Sequence, residues 1–363
     1  MRIGLVVYGS LDARSGGFLY DRMLVEALRR SGDAVDVFPQ PWKGYAGRLL
    51  QNFDRRLLSS IVSWPGDLLL EDELNHPSLF LLNRMLKRRR SLPIVSIVHH
   101  LGISESLPRA VAATHRIVER AYLGSVDGFV FNSAVTRSTV KALLGPVRSG
   151  IIATPGGDRL GPGLSDAEIA RRSGEPGPIR ILFAGNVIPR KGLLTLLEAL
   201  AAIPKTQWRL TIAGSTEPDP SHAAAVRDFI SARGLAANVH LAGYLEEEGL
   251  AKAFRSHHLF AVPSQYEGFG IVYLEAMGFG AVPIGTSAGG AAEIIEHGRS
   301  GILVQPGDSP ALATAIREIA EHRDWLLSLA LGARRRFERM PGWEQSMGAA
   351  AERLHAFARE GRS

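Results

Sequence analysis

Glu267 and Glu275, with seven residues between them, are the residues of this 363-residue chain whose types and spacing point most directly to chemistry. Gly268-Phe269-Gly270 lies between them, and the apolar stretch from Ile271 to Phe279 reads as a helix. Before them, Leu259–Val262 reads as a buried strand. A strand, two glycines and a helix start offer backbone N–H groups to an anion, and the absent β-carbons let a ligand approach. Glu267 is then expected at the mouth of a site. Glu275, about two turns into the helix, can accept ribose hydroxyls side by side. Two carboxylates at this spacing alone would form only a solvated face. The glycines and the strand point to a ligand.

A second cluster follows another expected strand, Ile179–Ala184. Gly185 opens the loop, Arg190 and Lys191 come next, and an apolar helix starts at Leu193. A guanidinium grips two phosphate oxygens and an ammonium adds a point charge, so the pair suits a diphosphate. Gly16 and Gly17 precede a helix in the loop after the first strand, where amides can also meet a phosphate. That loop lacks the Gly-x-Gly-x-x-Gly of dinucleotide binders, which counts against a dehydrogenase. His99 ends the strand Ile94–Val98. No Asp-x-Asp metal motif stands at a strand end.

With these residues in place, the chain resembles the retaining nucleotide-sugar glycosyltransferases of family four, which have the GT-B fold, over nearly its whole length. The resemblance implies that Glu267 and the amides of Gly268, Phe269 and Gly270 hold the donor sugar and that Glu275 holds the ribose. Arg190 and Lys191 match the residues the family uses on the donor diphosphate, with Gly16, Gly17 and Gly185 in the donor loops. Tyr244 and Leu245 fall where the base is read. His99 sits where the family contacts the donor hexose, whereas His100 stands where an acidic residue is commoner. The implied reaction transfers a hexosyl group to an acceptor hydroxyl with retention, from a UDP-sugar first and a GDP-sugar second, with no cofactor and no metal. The alternatives are another GT-B activity on nucleotide sugars, a catalytically silent scaffold, and a sugar phosphorylase.

The elements that must position these residues alternate between strand and helix, as in parallel α/β layers. Six expected strands precede residue 153 and six follow residue 178. This fits an α/β chain of two doubly wound, Rossmann-like domains facing across a cleft. The expected boundaries are 1–172 for an acceptor-side domain, 178–340 for a nucleotide-sugar domain and 341–363 for a terminal helix crossing back. The Gly- and Pro-bearing stretch Arg171–Pro178 reads as their linker, and Gly47–Ser63 reads as one amphipathic helix.

Composition narrows the class further. The chain has no cysteine, which excludes disulfides and thiolate chemistry, and its length favours two cores. The start Met1–Tyr8 reads as a strand and not a signal peptide, and no apolar run approaches the roughly 20 residues that span a bilayer. A cytoplasmic protein is expected, with peripheral contact at the inner membrane face as an option. The net charge of +6 is uneven, because residues 1–150 hold 20 Lys and Arg against 13 Asp and Glu. That bias suits an anionic acceptor or membrane surface. No segment resembles a nucleic-acid module. Trp42–Tyr45 and the stretch with Arg48, Arg55 and Arg56 lie where acceptor or membrane contacts are often built. The acceptor stays open among a lipid-linked glycan, a polysaccharide and a small natural product.

Overall fold

The computed structural model describes residues 1–104, 109–147 and 149–360, and divides into two compact units. The first unit comprises Met1–Pro155 and Trp343–Ser363 and the second Gly156–Gly342. In the first, six strands form one sheet: β1 (Arg2–Tyr8), β2 (Ala34–Gln40), β3 (Leu68–Asp72), β4 (Ile94–Val98), β5 (Gly128–Phe131) and β6 (Gly150–Ile152). Their order is β2-β1-β3-β4-β5-β6, and every pairing is parallel. Helices cover the sheet, so β3, β4 and β5 are buried along their whole length. That is why they read as unbroken apolar runs and not as alternating ones.

The second unit repeats the plan. Strands β7 (Ile179–Ala184), β8 (Trp208–Ala213), β9 (Val239–Gly243), β10 (Leu259–Ala261), β11 (Val282–Thr286) and β12 (Ile302–Val304) stand in the order β12-β11-β10-β7-β8-β9. All are parallel. Each unit is therefore a doubly wound, Rossmann-like α/β layer whose order reverses once, between β1 and β3 in one and between β7 and β10 in the other. Ligands of such sheets bind beyond the carboxyl ends of the strands at that reversal.

Two local readings differ from the sequence expectation. The contacts divide the chain after Pro155, earlier than the Gly- and Pro-bearing stretch at 171–178. Helix Asp166–Ser173 precedes that stretch, opened by a capping box between Ser165 and Glu168. Arg172 fastens it to the second unit by donating to the carbonyls of Phe254 at 3.0 Å and Gly280 at 2.6 Å. The expected single helix over 47–63 is split into Tyr45–Leu50, a short turn at Gln51–Phe53, and Arg55–Ser63. Asp54 causes the break: its side chain accepts from the amides of Arg56 and Leu57, so a new helix starts there. Helix Trp343–Glu360 packs within the first unit, against helix Gly16–Arg30; residues 361–363 lie outside the described residues.

Candidate active site

Beyond the ends of β7 and β10 the second unit gathers the residues singled out at 185–191 and 264–275. After β7 the chain makes one turn, Pro189–Lys191, and then Gly192 in the left-handed region (φ 70°) starts helix Leu193–Ala201. A β-carbon on Gly192 would lie 2.1 Å from the Pro263 carbonyl oxygen, so only glycine lets the two loops touch. The loops are also laced together, since Gln265 N donates to Arg190 O at 2.8 Å and Arg190 Nη1 to Tyr266 O at 2.9 Å. Gly185 lines the Lys191 stem, and a β-carbon there would stand 3.6 Å from Lys191 Cε.

Glu267 is the centre of this arrangement. Lys191 Nζ donates to its Oε1 at 2.5 Å, Ser264 Oγ donates to the same oxygen at 2.6 Å, and Arg190 Nη1 stands 3.8 Å from Oε2. Its side chain is 10% exposed. Burial alone would raise its pKa, yet Lys191 and Arg190 outweigh burial and hold the carboxyl below the usual range. The loop from Ser287 to Gly290 clamps it from behind. Gly290 N donates to Glu267 O at 2.7 Å, and a β-carbon on Gly289 would fall 2.1 Å from that same carbonyl oxygen. Gly270 adopts φ 97° as the cap of helix Ile271–Gly278, while the Phe269 ring is buried in the core. A ligand can meet Phe269 only through its backbone.

Glu275 sits deeper than the sequence suggests. It has no exposed surface, and its Oε1 accepts from Arg159 Nε at 2.8 Å. Oε2 is buried with no hydrogen-bond partner among the described residues. Burial raises the pKa of this carboxyl, and Arg159 offsets only part of that rise. Arg159 also donates to Glu247 at 2.7 Å. Tyr244 is exposed and lines a cavity of about 380 Å³ beyond the ends of β8 and β9, with Val187, Ser215, Thr216, Arg227 and Leu241. Leu245 does not line it.

The remaining predicted residues belong to the first unit. Ser15 caps helix Gly16–Arg30, placing Gly16 and Gly17 in its first turn. A β-carbon on Gly17 would lie 3.3 Å from His99 Cδ2, so this glycine and His99 are neighbours. His99 Nε2 pairs with Asp21 Oδ1 at 2.9 Å, and the Tyr20 ring meets the imidazole edge-on at 5.0 Å. Burial disfavours the imidazolium, but Asp21 more than compensates and pushes the His99 pKa to about 9. Asp72 completes the cluster; burial and the Asp21 charge push its carboxyl up towards the neutral form.

Among the described residues, two buried groups bring three metal-ligand-type atoms within 4.8 Å of one another: Asp21, Asp72 and His99, and Glu73, His76 and Glu119. Both have protein partners. His99 meets Asp21 as an imidazolium, and Glu119 accepts from the amides of Gly102 at 2.6 Å and Ile103 at 3.3 Å. The sequence reading missed Ser264, Arg159 and Asp21. Ser264, three residues before Glu267, had a local signal. Arg159 and Asp21 had none, because 116 and 78 residues separate them from their partners.

Comparison with known proteins agrees with the fold. Residues 165–336 match the family model described as glycosyl transferases group 1. The D-inositol 3-phosphate glycosyltransferase of Rhodococcus erythropolis is 29% identical over 280 residues, 72% of this chain and 62% of that protein. The alpha-D-kanosaminyltransferase of Streptomyces kanamyceticus is 28% identical over 196 residues, 53% of this chain and 49% of that one. The match to the Rhodococcus protein thus spans about three fifths of that relative's length. Among solved structures, sucrose-phosphate synthase from Thermosynechococcus elongatus superposes with a TM-score of 0.81 at 23% identity, covering 99% of this chain and 98% of that one. HepE of Anabaena in complex with UDP-glucose gives 0.79 at 20%, covering 98% and 100%. Residues 165–336 are thus similar to the group 1 glycosyl transferases, and the chain has a GT-B fold of two Rossmann-like units.

Proposed function

We propose that this chain transfers a hexosyl group from a nucleoside diphosphate sugar, a UDP-sugar first, to an acceptor hydroxyl, with retention of configuration and without a bound metal. The observation that carries the reading is the Lys191–Glu267–Arg190 group at the strand-order reversal of the second unit. Two cations and the start of helix Ile271–Gly278 converge there on one fixed carboxylate. Arg190 and Lys191 neutralise the diphosphate as it leaves with the electrons of its bond to the anomeric carbon. The acceptor oxygen attacks the same face, and its proton passes to a departing phosphate oxygen. Glu267, ionised at neutral pH, accepts donor-sugar hydroxyls and keeps Lys191 oriented between turnovers. The amides of Gly268 and Gly270 add donors without side-chain bulk.

In this reading the base occupies the cavity beside Tyr244, and Glu275 with Arg159 takes the ribose end. His99, Gly16 and Gly17 serve the hexose. The HepE structures, which are complexes with UDP and with UDP-glucose, favour uridine here by analogy. No helix among the described residues is long and apolar enough to cross a membrane, and a cytoplasmic or membrane-peripheral site of action is part of the proposal.

A thermal-shift panel of UDP, GDP, ADP and their sugar conjugates, with EDTA as control, tests it. One nucleotide should raise the melting temperature with or without EDTA, and transfer should vanish in Glu267→Ala and Lys191→Ala while both stay folded. Retained turnover in either variant removes that residue from the mechanism. No shift with any nucleotide moves the weight to a phosphorylase or a silent scaffold.

A further inference from the structure

The first unit buries three titratable groups at the carboxyl ends of β3 and β4. Asp72 ends β3, His99 follows β4, and Asp21 lies in helix Gly16–Arg30. Asp21 has no exposed surface and Asp72 has 1%. One oxygen or nitrogen of each residue lies within 4.8 Å of the others. Their hydrogen bonds use only half of each carboxyl. Asp21 Oδ1 meets His99 Nε2 at 2.9 Å, and Asp72 Oδ1 accepts from Leu74 N at 3.0 Å. Asp21 Oδ2 and Asp72 Oδ2 are buried, and neither has a hydrogen-bond partner among the described residues.

Two orphaned carboxyl oxygens in one buried cluster are unfavourable, because buried polar atoms are almost always paired. Carboxylates this close and this deep also repel too strongly for both to ionise. A single proton removes both problems, since a carboxylic acid is a donor and a carboxylate an acceptor. Asp21 is the carboxylate, because His99 pairs with it, and Asp72 is the acid. An anionic Asp21, a cationic His99 and a neutral Asp72 sum to zero charge, the favoured state for buried groups. Glu73, next along the chain, adds a negative charge that favours both the acid at Asp72 and the imidazolium at His99. An imidazolium donates through both nitrogens. Nε2 is used on Asp21, which leaves Nδ1–H as a donor for a ligand.

We propose that Asp72 and Asp21 share one proton, donated from Asp72 Oδ2 to Asp21 Oδ2, and that the pair positions His99 as a fixed cationic donor to a substrate oxygen. His99 is then no general base, because it holds its second proton while Asp21 is beside it. The proposal rests on the transferase reading for the substrate that His99 meets, but not for the shared proton, which needs no ligand.

Asp72→Asn tests it, since an amide N–H is a permanent copy of the acid proton. Urea unfolding of the full chain, wild type and variant, is measured from pH 4 to pH 8. A carboxyl whose folded pKa is raised from 3.8 to about 8 stabilises below the lower value and loses that contribution as pH climbs to the upper one. The folding equilibrium of Asp72→Asn should therefore gain on the wild type by up to about tenfold per pH unit in that window. Lost packing alone would give a pH-independent gap, and that result overturns the proposal. NMR titration of the Asp72 carboxyl carbon reads the same proton in the wild type, should the variant fail to fold. A carboxyl still protonated at pH 7 supports sharing, and one ionised at pH 7 overturns it. His99 should stay charged at pH 7 in Asp72→Asn; a neutral imidazole there overturns the positioning role. A stoichiometric metal retained by the wild type and lost in Asp72→Asn also overturns it, since a cation would then stand in the proton's place. Every one of these measurements is made without nucleotide, so the shared proton and the donor reading can fail independently.

Discussion

Replacing Lys191 by methionine isolates the electrostatics of Glu267, because the thioether chain keeps most of the stem's packing and deletes only the charge. In the wild type, Glu267 is buried yet anionic, held by Lys191 at 2.5 Å, Ser264 at 2.6 Å and Arg190 at 3.8 Å. Removing Lys191 takes away one short charge-assisted hydrogen bond and leaves a buried charge with a distant cation. At pH 7 the expected loss is about 2 kcal/mol, set by a hydrogen bond to a charged group.

The sign of the pH dependence makes the test sharper. Wild-type Glu267 has a folded pKa below its unfolded value near 4.5. Its contribution is therefore full above that pH and is lost as pH falls through the folded pKa. Without Lys191, burial, already the largest single influence on this carboxyl, pushes its pKa above the unfolded value. The contribution of Glu267 in the variant is then present at low pH and lost as pH rises. The stability gap between the two proteins should widen with pH by at most about 1.4 kcal/mol per unit. Urea denaturation of both proteins at pH 7 and pH 4 measures it: about 2 kcal/mol at the higher pH and under about 1 kcal/mol at the lower. An equal gap at the two pH values would refute the ion-pair account of Glu267.

Asp21→Asn should lower the His99 pKa from about 9, read by NMR titration of the imidazole. Because a raised histidine pKa stabilises below the unfolded value near 6.5 and loses that contribution as pH climbs through 9, the variant should lose more stability at pH 6 than at pH 10. Arg159→Ala leaves Glu275 buried without its cation, and an unfolding free energy about 3 kcal/mol lower is expected; a loss below about 0.5 kcal/mol would mean that solvent reaches Glu275 freely. Gly192→Ala puts a β-carbon 2.1 Å from Pro263 O at φ 70°. It should cost about 1–3 kcal/mol and weaken nucleotide binding by displacing Arg190 and Lys191, both read in one thermal-shift series with and without UDP.

Much of the architecture was legible because parallel strands buried on both faces announce themselves as short apolar runs, and all twelve were placed within a few residues. Lys191 and Glu267 were each found through the glycines and helix starts around them. That they touch follows from strand order, since β7 and β10 are neighbours although 76 residues separate the two side chains. Arg159 was invisible for the opposite reason: it sits in a single helical turn, Asp158–Leu160, too short to show a periodicity, and only the folded chain brings it to Glu275. The linker composition at 171–178 misled about the unit boundary, because Arg172 is bonded to carbonyls that no local pattern reveals. Asp54 had the type of a helix cap but lay inside an apolar rhythm strong enough to conceal the break.

The first unit is assembled from both ends of the described chain. Helix Trp343–Glu360 lays Trp343 on Tyr20 and Phe357 against β5, and His355 reaches Asp33 at 2.6 Å. Ser346 also donates to Thr154 O. During synthesis the sheet β1–β6 emerges early, yet the surface that this helix seals stays bare until nearly two hundred more residues, Gly156–Gly342, have been made. The contiguous second unit faces no such delay and can close first. A fragment ending near residue 155 should therefore expose an apolar seam and aggregate. Supplying residues 343–360 as a separate peptide offers a direct route to rescuing its solubility.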